Sequence, residues 1–183
     1  MPFDRPGALP TLDLPAHDGA KLDFDAFVPF TLIAIANRLA RNASRAYLAQ
    51  YDIGLNEWRI LAHLRVHPGI TANHICDVSE LDKAAVSRSL RQLDLRKLVA
   101  ISRRAGDPRG RALRLTAAGD ALHDRIIRMA LARETVLLAG FSAEEQAQLR
   151  GFLARLRTNA RLLRDGGEAP LPSALPRDPR GGA

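Results

Sequence analysis

Residues 81–116 read LDKAAVSRSLRQLDLRKLVAISRRAGDPRGRALRLT. The first half is helical by its apolar spacing. Val86, Leu90 and Leu93 fall four and three apart, which draws one stripe along a helix from about residue 83 to residue 96. The opposite face presents Lys83, Ser87, Arg88 and Arg91, with Gln92 beside them. A strand is expected over Leu98–Ser102, then a turn over Arg104–Gly110 in which Gly and Pro supply the special dihedrals. Ala112–Leu115 alternates as the returning strand of a hairpin.

Upstream of this stretch, Thr71 is a good N-cap for a short helix with Ile75 and Val78 turned inward. Before it, Asn56 is expected to cap a helix whose apolar face is Trp58, Ile60, Leu61 and Leu64, and His67-Pro68-Gly69 stops that helix. Phe27–Gln50 forms a first helix, with Leu32, Ile35, Leu39, Ala43 and Ala46 at helical spacing. Pro29 is tolerated in its first turn. Downstream, Thr116 caps a long helix to about Ala139 with Leu122, Ile126, Met129 and Val136 along one side. Ser142-Ala143-Glu144-Glu145 is a capping box that opens a last helix, striped by Leu149, Phe152, Leu153, Leu156, Ala160 and Leu163.

Charge falls unevenly on this framework. The 183 residues carry 27 Lys+Arg against 20 Asp+Glu, a net charge of +7. Residues 1–25 are acidic, with Arg5 and Lys21 against Asp4, Asp13, Asp18, Asp23 and Asp25. Residues 83–114 hold ten basic side chains, opposed by Asp94 and Asp107, for a local net of +8. A surplus this concentrated attracts a polyanion, and nucleic acid is the commonest one. Because the basic residues share one helix face and one hairpin, they form a surface rather than a scattered coat. An aromatic content of 5% argues against single-strand stacking platforms and for duplex reading.

Other classes are excluded by simple counts. One Cys forbids an internal disulfide framework and suits a reducing compartment. No stretch of eighteen apolar residues exists, so no membrane span or membrane partner is expected. The N-terminal MPFDRPGALPTLDLP lacks the basic and apolar regions of a secretory signal. No G-x-G-x-x-G, P-loop, G-x-S-x-G or paired His-carboxylate motif points to an enzyme, and no cofactor is expected. Prolines crowd the first 15 and last 14 residues, so the ends read as tails around a compact body. The expected organisation is a flexible tail over 1–23, one domain over 24–163, and a disordered tail over 164–183. The fold class is mainly α with a small β-hairpin wing. It is a winged helix-turn-helix, about 55–116, carried by N- and C-terminal helices over about 26–50 and 117–163 that form a dimerisation domain.

Three segments in this order resemble the MarR family of bacterial transcription regulators. They are Glu57-Trp58-Arg59-Ile60-Leu61, Asp82–Arg88, and Asp107-Pro108-Arg109-Gly110-Arg111-Ala112-Leu113-Arg114-Leu115-Thr116-Ala117-Ala118-Gly119. The resemblance covers about 24–163. It implies a cytoplasmic homodimer, nucleoid-associated when bound to DNA, that binds near-palindromic double-stranded DNA and usually represses. It also implies release by a small anionic or aromatic effector, an aromatic carboxylate or its thioester. By position, Lys83, Ser87, Arg88 and Arg91 face the major groove, and Arg109 is the minor-groove finger with Asp107 as its orienter. Thr71 and Asn73 offer an amide and a side chain to phosphate, and Arg103, Arg104 and Arg111 are further phosphate contacts. The effector would meet Asn37, Arg38, Arg41, Trp58 and His63.

Two positions depart from the family pattern. Lys97 stands where a Gly usually closes the recognition helix, so it is either left-handed or the helix ends differently. Ile101 stands where Arg is favoured, leaving Arg103 or Arg104 to replace that contact. His63 and His67 sit four apart on one helix but have no third metal ligand nearby. They read as ordinary histidines, with no metal site expected. Cys76 reads as a buried structural thiol, and Trp58 as either a pocket wall or a core aromatic. A non-specific architectural DNA binder and an enzyme-associated dimerisation module are the rival readings. The first would need only phosphate contacts, whereas a helix offering Ser, Arg and Gln92 suits base reading. The second would need a catalytic domain after the winged helix, and none is expected in the segment that follows it.

Overall fold

The computed structural model describes residues 22–24, 26–104 and 107–162, with backbone alone at 104, 107–110 and 162. Most of the expected tails lie outside the described residues, as does Leu163. The order is α1 (Val28–Tyr51), α2 (Leu55–Val66), α3 (Ala72–Ser79), α4 (Lys83–Leu95), β1 (Val99–Arg104), β2 (Asp107–Leu115), α5 (Ala117–Leu137) and α6 (Ala143–Leu162). Two units are distinct: Asp23–Ala139 holds α1 to α5, and α6 belongs to the other. The mainly helical winged helix-turn-helix class agrees with the sequence expectation.

Within the larger unit, α2 is the central helix and packs against α1, α3, α4, α5 and β2. Ile60, Leu61 and Leu64 supply its inner face and are fully buried, with Ile75, Val86, Leu93, Leu113 and Ile126 around them. Each such side chain removed from water stabilises the fold by about 1.5–3 kcal/mol. Tyr47, Trp58 and His123 continue the core as a ring cluster, with Tyr47 tilted against Trp58 at a centroid distance of 6.0 Å and Trp58 stacked on His123 at 5.4 Å. Burial pushes the Tyr47 phenol above its ordinary range, against the opposing charge of Arg133. His123 Nδ1 lies 3.0 Å from Asp124 Oδ1, and that hydrogen bond holds the Asp124 carboxyl below its usual range.

The helix starts follow local chemistry. Thr71, Asp82 and Thr116 accept from the amides of His74, Ala85 and Gly119 at 3.2, 2.7 and 3.1 Å. Ser142 and Glu145 exchange reciprocal hydrogen bonds, completing the expected capping box. Asn56 is not a cap. The start of α2 lies one residue before it, with Gly54 in the N-cap position and no side-chain cap bond. The Glu57 carboxylate folds back over Gly54, into the space a Cβ there would occupy. Val78 is also corrected. Ile75, Cys76 and Ser79 are buried, whereas Val78 sits on the flank of α3 and is half-buried.

Two further expectations shift at the hairpin. The strands run to Arg104 and resume at Asp107, longer than expected on both sides, and Asp107–Gly110 belongs to β2 rather than the turn. Pairing runs from Val99↔Leu115 to Arg103↔Arg111, then slips so that Arg104 meets Asp107. Both strands of a two-stranded sheet are edges, so Pro108 costs no essential ladder bond. At its base the hairpin gains a third partner. Leu113 N–H donates to the Ile70 carbonyl at 3.0 Å and the Leu113 carbonyl accepts from Gly69 N–H at 2.7 Å. Gly69 has φ +91° and lies beneath the Arg114 guanidinium.

The end of α4 shows which alternative holds at Lys97, which has φ +55°. Its amide donates to the Asp94 carbonyl at 2.8 Å and that of Leu98 to the Leu93 carbonyl at 2.9 Å, the paired bonds of a Schellman end. Leu93 and Leu98 are both buried beneath it. A non-glycine residue in this conformation is strained by roughly 1–2 kcal/mol, part of which glycine gives back as unfolded-chain entropy. Lys97→Gly is therefore expected to stabilise the protein by about 1 kcal/mol, a rise of ~2–4 °C in Tm. A fall in Tm measured by scanning calorimetry contradicts this expectation.

Candidate nucleic-acid interface

Helix α4 is divided cleanly. Ala85, Val86, Ser89, Leu90 and Leu93 are buried, while Lys83, Ser87, Arg88 and Arg91 are exposed. Asp82 fixes where the helix begins, and so fixes which residues share the outer face. The start of α3 lies alongside, with Asn73 exposed and the Thr71 hydroxyl occupied as acceptor to His74. At the other end of α3, Arg59 donates to the Ser79 carbonyl. Burial pushes the Arg59 guanidinium below its ordinary range.

Between α3, α4 and the hairpin lies a groove of about 420 Å³. Its floor is apolar, with Cys76, Val86, Leu90 and Leu113, and its rim carries Asn73, Lys83, Ser87, Arg91 and Arg111. An adjoining recess of about 410 Å³ brings Arg103 next to Arg111. Six of the eleven expected DNA contacts are thus gathered along one groove and its neighbour. Arg88 is exposed on α4 but lines neither. The side chains of Arg104, Asp107 and Arg109 lie outside the described residues, although the backbone places them on β1 and β2.

The structure adds two residues. Asp94 lines both recesses, and half-exposed Ile101 stands between them on β1. The signal for Asp94 is in the spacing: Lys83, Ser87, Arg91 and Asp94 step four, four and three along α4, one continuous stripe. A carboxylate in this stripe is an acceptor of the kind that suits a cytosine amino group and repels a phosphate.

The five expected effector residues are not brought together. Trp58 is buried and stacked on His123, which favours its reading as a core aromatic. His63 is half-buried on α2, while Asn37 and Arg41 are exposed on α1. Arg38 lines a cavity of about 640 Å³ between α1 and α5, with Leu39, Asn42, Met129, Arg133 and Leu137. There Arg133 donates to Asn42 Oδ1 at 3.0 Å. Cys76 is buried and carries no disulfide. Among the described residues, no cluster of three His, Cys, Asp or Glu is placed to hold a metal, and no helix is long and apolar enough to cross a membrane.

Comparison with known proteins matches this geometry. The MarR family profile matches residues 51–110, the segment from the end of α1 into the hairpin. A MarR/EmrR family transcriptional regulator from Acinetobacter sp. ADP1 is 32% identical, with a TM-score of 0.72 over 76% of this chain and 99% of that one. The S. aureus MepR–DNA complex is 24% identical, with a TM-score of 0.65 over 73% and 96% of the two chains. A mutant MarR from E. coli complexed with operator DNA is 24% identical, with a TM-score of 0.63 over 74% and 99%. No curated protein matches the chain in sequence. With nearly the full length of the Acinetobacter regulator shared at this identity, and the profile falling on the elements that build the groove, the chain belongs to the MarR family of transcriptional regulators.

Proposed function

We propose that the protein is a homodimeric repressor that reads a pseudo-palindromic operator through α4 and the wing and is released by a small anionic or aromatic ligand. The observation that carries the DNA reading is the exposed cationic face of α4, continued by Asn73 and Arg111 around one groove. A helix of this width fits the major groove, where base edges are distinguishable. Its family membership and its likeness in fold to regulators solved with DNA support the same reading.

Dimerisation is supported by apolar side chains without cover on the long helices. Val28, Ile33 and Ile35 on α1, Val136 on α5, and Phe152 on α6 are all close to half exposed or more, and Val136 reaches 77%. A second copy would bury these faces and set two α4 helices about 34–36 Å apart, in successive major grooves. Release is supported by the α1–α5 cavity, whose apolar walls and two guanidiniums suit an amphipathic anion. The ligand would act by binding better to a head spacing that does not fit the operator.

Selection from a random duplex pool tests the function. An inverted repeat is expected, held against random competitor by about 10³-fold or more at physiological salt. Recovery of unrelated sequences with no such preference defeats the proposal. Arg109→Ala should weaken binding most on sites with A·T-rich flanks, where the minor groove is narrow. Equal losses on every flank would remove the minor-groove role.

A further inference from the structure

We infer that Arg96 is a positioning residue that fixes the recognition helix to the end of α1 and so sets the spacing of the two half-sites. This rests on the proposed reading of α4 as the DNA-contacting helix and α1 as part of the dimer.

Arg96 is the C-cap of α4, and its guanidinium reaches across the fold to the last turn of α1. One Nη donates to the Asp52 carbonyl and the other to the Tyr51 carbonyl at 3.4 Å, with the Asp52 carboxylate 3.8 Å away. The last carbonyls of a helix lack intrahelical partners and carry the negative end of its dipole. No basic residue stands in the last turn of α1. The cation that suits that end comes instead from α4, and its planar fork engages two acceptors at once.

The knot extends to α5. The Tyr51 hydroxyl donates to the Arg125 carbonyl at 3.2 Å, and the Arg125 guanidinium lies 5.4 Å from the Tyr51 ring centroid. One residue past Arg96, the Lys97 carbonyl accepts from Thr116 Oγ1 at 2.7 Å, and Thr116 N–H donates to the Leu98 carbonyl at 3.1 Å. The C-terminal end of α4 is therefore tied to α1 through Arg96 and to the start of α5 through Thr116. The Schellman bonds that end α4 do not involve the Arg96 side chain, so the helix keeps its shape without it. What Arg96 governs is direction. With 13 residues, α4 is about 20 Å long, and a tilt of about 10° at the tied end moves its start by about 3 Å, close to one base-pair step.

The test is a spacing series. An operator selected by the wild type is rebuilt with its half-sites moved one and two base pairs closer or further apart, and affinity is measured on each duplex. The wild type should favour its own spacing by about tenfold or more over the displaced ones. Arg96→Ala should reduce that ratio to about threefold or less, with Arg96→Lys in between because an ammonium is not a fork. Asp52→Asn should keep the wild-type ratio, since carbonyls are the acceptors and Asn tolerates the left-handed φ of +52° at that position. If Arg96→Ala binds more weakly but keeps the wild-type ratio, Arg96 only stabilises and the assignment fails. Should Arg96→Ala not fold, an unchanged ratio in Arg96→Lys overturns the assignment equally. A wild type that selects no sequence at all defeats the DNA reading itself, and the Arg96 assignment with it.

Discussion

Gly119→Ala is expected to destabilise the protein by about 3 kcal/mol, even though the same change in an open helix stabilises by roughly 0.5–1 kcal/mol. Gly119 is buried in the first turn of α5. A Cβ there would fall inside the Leu98 carbonyl oxygen, 3.1 Å from the Leu98 carbonyl carbon and 3.4 Å from Leu115 Cβ. The obstacle is backbone, so no rotamer change relieves it. Leu98 cannot retreat easily either, because its carbonyl accepts from Thr116 N–H, its amide donates to Leu93, and its side chain is buried. Relief would have to separate α5 from the end of α4, and with it loosen the junction that Thr116 makes there. A Tm lower by ~6–12 °C should be seen. A variant within about 1 °C of wild type would mean the close approach is not enforced. The Gly at this place in the family segment is thus explained by the neighbouring backbone, not by turn chemistry.

The second large effect concerns binding without stability. Lys83→Ala combined with Arg91→Ala should weaken operator affinity by about 10²- to 10³-fold while leaving Tm near the wild-type value. Both side chains are exposed, so little burial is lost. They stand eight residues apart, about 12 Å along the axis, so their losses should nearly add. The single variants divide the effect. A phosphate contact lowers the slope of log K against log salt by about 1, whereas a base contact relaxes the preference at one position. An affinity within about threefold of wild type for the double variant would detach the cationic stripe from DNA binding.

What is legible in the residues is what is decided locally. Thr71, Thr116 and Ser142 each contact an amide three residues on, so their roles are visible in a short window. The inner stripe of α4 is similarly self-announcing, since Val86, Leu90 and Leu93 leave one face for the core. Asn56 misleads because N-cap preference is only a local propensity, and α2 starts one residue earlier from Gly54 with no side-chain cap bond. The hairpin reads too short because strand ends are settled by the partner strand, and the slip at Arg103/Arg104 has no signature in either strand alone. The effector residues scatter for the same reason at larger scale. Which side of α1 and α2 faces which neighbour depends on packing, and that packing sends Trp58 into the core and leaves Arg38 on the α1–α5 cavity. Arg96 is hidden because its partners are carbonyls, which every residue possesses.

The hydrogen bonds between Leu113 and the Gly69–Ile70 link bear on how such regulators can be recombined. The base of the wing is one piece of sheet with the segment that leads into α3, and Arg114 covers the glycine that makes the close approach possible. A wing exchanged between relatives at residues 99–115 alone keeps the backbone groups of that seam but replaces Arg114, the side chain that lies over Gly69. The unit that preserves this packing is the hairpin together with residues 69–71, so the wing and the entry to α3 are inherited as one piece.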